Sequence, residues 1–345
     1  MATADHDPDA APHADAGLFG LPTTPDDARL VIVPVPWDAT TSYRPGTSRA
    51  PAAIRSASHQ LDLYDVDLGE PWRAGIAMLD IPAGIMKWNS NARADAERVI
   101  EVGGRIGNDD ELVRALQRVN DAGATLNRHV YDEVDRQLRA GKLVGVLGGD
   151  HSVPFGAIAR IAESYDDFGI LHVDAHADLR DAYEGFEWSH ASIMYNVIRK
   201  IPQVKKLVQV GIRDFAKAEA DVIADSNGRI ITHHDTTLAE RRFAGETWKT
   251  ICDAIVGELP QRVYLSFDID GLDPKLCPST GTPVPGGLSF QQAAYLIKRV
   301  VQLGKTIIAF DLDEVAPGHD GDEWDCNVGA RILYKLCGWT LASHN

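Results

Sequence analysis

The chain has 345 residues, 44% of them hydrophobic, with 34 Lys and Arg against 50 Asp and Glu, for a formal charge of −16. That length can bury a substantial core, and an acidic surface repels phosphate backbones and anionic lipids, so neither nucleic acid nor a membrane is an expected partner. No stretch approaches the roughly 20 consecutive apolar residues of a membrane span. The N-terminus lacks the basic start and apolar run of a signal peptide, and Cys252, Cys277, Cys326 and Cys337 form no CxxC pair. The expectation is a cytoplasmic protein with reduced, buried thiols.

Residues 1–25, rich in Ala, Asp and Pro, read as a flexible tail, and 26–345 as one domain. LVIVPVP (30–36) is the first apolar run. The polar stretch 83–110 reads as an excursion rather than a domain boundary. Residues 111–140 repeat apolar positions at helical spacing (Leu112, Leu116, Val119, Leu126, Val130, Val134). LVGVLGGD (143–150) and FGILHVD (168–174) are buried strands, with a helix over 190–201 after the second. LVQVGIR (207–213), RVYLSFDID (262–270) and TIIAFDLDEV (306–315) are further strands, the last two separated by a helix over 291–303. Continuous apolar strands alternating with helices imply an α/β fold whose mostly parallel central sheet is covered on both faces.

Three of these strands end in polar clusters: Gly148-Gly149-Asp150-His151-Ser152, Asp174-Ala175-His176-Ala177-Asp178, and Ser266-Phe267-Asp268-Ile269-Asp270. In a parallel sheet the C-terminal strand ends share one edge, where ligands bind. Several carboxylates buried together need a cation to neutralise them. Mixed His and Asp donors suit borderline divalent ions such as Mn, Ni, Co, Fe or Zn. Six donors, His151, Asp174, His176, Asp178, Asp268 and Asp270, exceed what one ion needs and fit a two-metal centre. Any one motif alone is weak, since Gly-Gly-Asp often marks only a turn. His172, inside an apolar strand, reads first as a core residue, with support of the ligands as the alternative. His233 and His234 read as solvated loop residues.

These clusters resemble the ureohydrolase family of arginases, agmatinases and related guanidino hydrolases. VPWDATTSYRPGTSRAPAAIR (35–55), GTPVPGGLSF (281–290) and DLDEVAPG (311–318) extend the resemblance over about 28–342. The resemblance implies a three-layer α/β/α fold and a homo-trimer or hexamer, possibly with a paralogous subunit. It implies one ion on His151, Asp174, Asp178 and Asp268, and a second on Asp174, His176, Asp268 and Asp270. The two divalent ions would be Mn(II) or Ni(II). Asp178 would orient the nucleophile, Glu314 bind the guanidinium of a small cationic substrate, and His190 shuttle protons.

The product would be urea, or a substituted urea, and an amine, with agmatine as the reference substrate. The sequence Leu179-Arg180-Asp181-Ala182-Tyr183 lacks the polar pattern expected for L-arginine. Asp181, Glu184 and Glu187 are candidate acceptors for a distal ammonium. An aromatic pocket of Trp88, Tyr183, Phe186 and Trp188, with Met86, Lys87 and Trp88 reaching the mouth of this or a neighbouring subunit, would instead favour guanidine, alkylguanidines or biguanides. Two readings of other classes are a mononuclear zinc deacetylase-like enzyme and a non-catalytic partner subunit. The retained six-donor set and Glu314 argue against both.

Overall fold

The computed structural model describes residues 6–13 and 16–345. Among them, eight strands form one sheet: β1 (Leu30–Pro34), β2 (Ile76–Met78), β3 (Leu143–Leu147), β4 (Phe168–Val173), β5 (Val204–Ile212), β6 (Ile230–His234), β7 (Arg262–Asp268) and β8 (Thr306–Asp313). Their order is β2-β1-β3-β8-β7-β4-β5-β6, and every pairing is parallel. Ten α-helices connect them: α1 (Ala50–Ala57), α2 (Ala83–Ile100), α3 (Asp110–Arg139), α4 (Phe155–Ala162), α5 (Ile193–Lys200), α6 (Lys217–Asp225), α7 (Asp235–Phe243), α8 (Trp248–Gly257), α9 (Phe290–Gln302) and α10 (Trp324–Ala342).

Side chains alternate across each strand, so a strand buried on both faces feeds two cores. Leu30 and Ile32 of β1 join a core with α1, α8, α9 and α10, whereas Val33 packs with Leu126, Val130 and Val134 of α3. Ile170 of β4 packs with Ile158 of α4 and Val197 of α5, while Leu171 lies in the α8–α10 core. Helices therefore cover both faces, giving the expected three layers.

The expected helix over 111–140 is α3, capped by Asp109, whose carboxylate accepts the Glu111 and Leu112 N–H groups. Most of the 83–110 excursion is α2, which packs on α3. β2 and β6 escaped the sequence reading because one is three residues long and the other ends Thr-His-His; both are edge strands. His233 and His234 thus lie in β6, not a solvated loop, and Phe215 stacks on His234 at 4.9 Å. Of the expected tail, Met1–Asp5 and residues 14–15 lie outside the described residues. Its apolar Leu18, Phe19 and Leu21 are buried in the α10 core, with Phe19 against the Tyr334 ring at 4.9 Å.

Gly156 lets α4 approach the α3 backbone, since a methyl group there would overlap the Asn127 carbonyl. Gly156→Ala is expected to cost about 1–3 kcal/mol of stability. A denaturant titration showing an unchanged midpoint would refute this close approach.

Candidate metal centre

All parallel strands deliver their C-terminal ends to one edge, so four separate loops meet there. After β3 the chain must turn tightly beneath its neighbours. A side chain at Gly149 would overlap the Trp37 carbonyl, and one at Gly148 would overlap the Asp313 carboxylate. This turn carries His151 over the sheet edge. Asp174, His176 and Asp178 follow β4, and Asp268 and Asp270 close β7. Asp178 and Glu314 both hold positive φ, 54° and 61°. Non-glycine residues enter that region at a cost, and such strain concentrates where a side chain must be aimed.

All six residues expected as ligands converge. His151 Nδ1 lies 3.1 Å from Asp174 Oδ2, 3.2 Å from Asp178 Oδ2 and 3.3 Å from Asp268 Oδ2. One ring nitrogen cannot serve three carboxylates with a single hydrogen, so this crowd has the donor chemistry of a cation site. His176 Nδ1 lies 3.0 Å from Asp270 Oδ2 and 3.5 Å from Asp174 Oδ1. Asp174 therefore faces both histidines, as a bridging ligand would. Backbone N–H groups aim the carboxylates: His176 donates to Asp174 at 2.6 Å, Asp270 to Asp268 at 2.7 Å and Ala175 to Asp270 at 3.0 Å.

The residues are buried, with Asp174 at 0% exposure and Asp268 and Asp270 at 3%. Burial and the charge of Asp174 push Asp178 up to about 6. Burial, followed by the charges of Asp270 and Asp174, pushes Asp268 well above the carboxylate range. Burial with the Asp150 charge does the same to Glu314. The protein side is thus electrostatically unbalanced in the direction that divalent ions correct.

Glu314 is joined to this group through its Oε1, which accepts the His151 N–H at 2.9 Å. Burial, with His176 and His151 nearby, lowers His190 to about 3, so its imidazole is neutral at neutral pH. A cavity of about 200 Å³ is lined by His151, His176, Asp178, His190, Asp268 and Glu314, with Arg180, Tyr183, Asp214 and Glu219 among its remaining walls. A larger hollow of about 700 Å³ around Tyr64, Trp248 and Phe290 holds none of these groups.

Several expectations about the outer pocket fail. Phe186 is buried among Ala96, Val99, Ala115 and Val119 of α2 and α3, and Trp188 packs on Phe155 at 4.8 Å. Trp88 meets His129 on the same helix pair. Of the proposed aromatic pocket only Tyr183 lines the cavity. Nor do Asp181, Glu184 or Glu187 line it: Glu187 pairs with Lys200 at 2.9 Å, and Asp181 sits beside the Tyr195 hydroxyl.

His172 corrects the reading as simple core, since its Nε2 lies 2.8 Å from Asp174 Oδ2. Sequence reasoning also missed Ser266, Asp311 and Gln209. The available signal was a polar residue at an inward position of an apolar strand, which burial alone disfavours.

A model of the Arginase family matches residues 28–338. The N(1)-aminopropylagmatine ureohydrolase of Thermus thermophilus is 35% identical, covering 93% of this chain and 94% of the relative. The agmatinase of Shigella sonnei is 31% identical, covering 97% of each. The solved proclavaminate amidino hydrolase of Streptomyces clavuligerus superposes with a TM-score of 0.73 at 23% identity, covering 97% of this chain and all of that one. That likeness concerns the fold.

Proposed function

The chain belongs to the arginase family, and from that premise we propose an agmatinase-like ureohydrolase with a two-metal centre on His151, Asp174, His176, Asp178, Asp268 and Asp270. It is a metal-dependent hydrolase of guanidino C–N bonds. The observation that supports the site assignment is the convergence of four carboxylates and two imidazoles on one sheet edge, with Glu314 in the same cavity. His151, Asp174, Asp178 and Asp268 would hold one ion, and Asp174, His176, Asp268 and Asp270 the other. Imidazole with carboxylate suits Mn(II) or Ni(II).

Two divalent ions bound there would supply Lewis acidity and a water activated at neutral pH. The side chains do the rest. Glu314 pairs with the planar guanidinium through charge-assisted hydrogen bonds and holds its carbon over the centre. An Asp178 oxygen accepts the attacking water's hydrogen and so orients it. His190, neutral as it stands, takes the proton given up by the attacking water and passes it to the departing amine nitrogen as the C–N bond breaks. Tyr183 and the buried walls limit bulk water around the reacting carbon.

The proposed substrate class is a guanidinoalkylamine of the agmatine or N(1)-aminopropylagmatine type. Asp214 supports a cationic tail: it lines the cavity and is exposed, and its side chain has no hydrogen-bond partner among the described residues. Arg180 is already engaged, over the Tyr183 ring at 4.8 Å and 3.5 Å from Glu219. A homo-trimer or hexamer and a cytoplasmic location complete the proposal.

The test loads metal-stripped protein with Mn(II) or Ni(II) and measures urea release from agmatine, N(1)-aminopropylagmatine, guanidinobutyrate, arginine and guanidine. The first two are expected to lead in kcat/KM. Preference for guanidinobutyrate would overturn the cationic-tail reading, and no urea from any of them would overturn the activity.

A further inference from the structure

Thr232, Gln209, His172, Ser266 and Asp311 stand directly opposite one another on β6, β5, β4, β7 and β8. Opposite residues of a parallel sheet share a face, so this is one polar rung crossing five strands. It runs two residues before the layer of Asp174, Asp268 and Asp313. Gln209, His172, Ser266 and Asp311 are all 0% exposed. Valine or isoleucine would fill such positions without the cost of burying polar groups, so each polar atom here must be offset by a hydrogen bond.

One half of the rung runs to Asp174. Gln209 Nε2 lies 2.8 Å from the Ala177 carbonyl, which only accepts, so the amide orientation is set. The second Nε2 hydrogen then goes to His172 Nδ1 at 3.0 Å, while Gln209 Oε1 accepts from the Thr232 hydroxyl at 2.9 Å. With Nδ1 accepting, the His172 proton sits on Nε2 and is donated to Asp174 Oδ2 at 2.8 Å.

The other half runs from His151. Asp311 Oδ1 accepts the Phe267 N–H at 3.1 Å and the Ser266 hydroxyl at 2.8 Å. Serine has one proton, so its oxygen must accept from His151 Nε2, 2.8 Å away. That places the His151 proton on Nε2 and frees the Nδ1 lone pair toward Asp174, Asp178 and Asp268. The two imidazole rings sit 5.2 Å apart above this floor.

We propose that the Thr232–Gln209–His172 and Ser266–Asp311 rung is a proton-ordered floor that fixes the tautomers of His172 and His151, making His172 and Ser266 positioning residues for the metal centre. The inference rests on the two-metal reading above, and its tests read metal binding and tautomer rather than turnover. Groups that orient metal ligands change affinity by about 10- to 100-fold when removed. Metal-stripped Ser266→Ala, titrated with Mn(II), should therefore weaken one of two dissociation constants by that factor and leave the other within about twofold. Gln209→Leu should weaken Mn(II) binding through Asp174, whereas Thr232→Ser should bind as wild type does.

In wild-type protein carrying 15N-labelled histidine, His172 should report an unprotonated Nδ1 and a protonated Nε2. This reading does not depend on any variant folding. A protonated Nδ1 on His172, or unchanged Mn(II) constants in Ser266→Ala and Gln209→Leu proteins that melt like wild type, would overturn the proposal. Two bound Mn(II) with the expected tautomers but no urea from any guanidino compound would support the floor while removing the activity. Absence of Mn(II) binding by wild type would remove both.

Discussion

Asp268→Asn protein will lose guanidino hydrolysis by roughly a thousandfold or more, about 4 kcal/mol of transition-state stabilisation, and will retain fewer than two ions per chain. Asp268 Oδ2 is 3.3 Å from His151 Nδ1, and its Oδ1 accepts the Asp270 N–H at 2.7 Å. Asparagine keeps that acceptor and the side-chain volume, so the change is mainly one of charge. The melting temperatures should separate a metal role from a structural one. Without ions, the carboxylates around His151 repel, and burial with Asp270 and Asp174 already pushes Asp268 well up. Removing one charge should therefore raise the melting temperature of metal-stripped protein. Loaded wild type should still melt highest, because ligands that bind the native state stabilise it. If metal-stripped Asp268→Asn melted well below metal-stripped wild type, Asp268 would be a structural residue, and the site assignment would fail at its centre.

The second large effect is expected at Glu314. Glu314→Gln should lower kcat/KM by roughly 30-fold to several thousandfold, the range for breaking a buried charge pair worth about 2–5 kcal/mol. Metal content should stay at the wild-type level. The side chain accepts the His151 N–H at 2.9 Å, and a glutamine oxygen can replace that acceptor, so the turn bearing His151 keeps its support. Loss of metal along with activity would show that Glu314 holds the loop rather than the guanidinium. Burial and the neighbouring Asp150, itself pushed up to about 7 mainly by burial, push Glu314 well above the carboxylate range, so a cation entering the cavity is what favours its charged form.

The firmest sequence-level inference, a candidate set of six ligands at three strand ends, was readable because it combined two local patterns. Each cluster followed an apolar run, and the second and third spaced their carboxylates and imidazole two apart. A parallel sheet turns those separate strand ends into one edge, so topology could be argued before any contact was known. Glu314, just after β8, was a candidate through the family resemblance rather than through this pattern. β2 and β6 were not readable, being edge strands too short or too polar to make an apolar run.

The acidic residues that line the outer cavity were not readable for a different reason. Asp181, Glu184 and Glu187 lie within a few residues of Asp178, and nearness in sequence made them candidates. The loop instead turns through left-handed conformations at Ala182 and Glu184, which directs neighbouring side chains apart. Asp214, from the end of β5 and distant in sequence, reaches the cavity because β5 pairs with β4 and brings Asp214 beside His176.

The amino-acid sequence by itself therefore indicated the kind of chemistry, since four carboxylates and two imidazoles gathered at one sheet edge have the donor chemistry of a divalent-cation site. Only the tertiary structure decided how those candidate ligands are held. The rung of Thr232, Gln209, His172, Ser266 and Asp311 joins residues from five strands, and their opposition depends on the register of parallel pairs that no local pattern encodes. His172 looked like core in one strand because its partners lie on others. Hydrogen bonds across a sheet are fixed by which strands are neighbours, and that is a property of the packed fold.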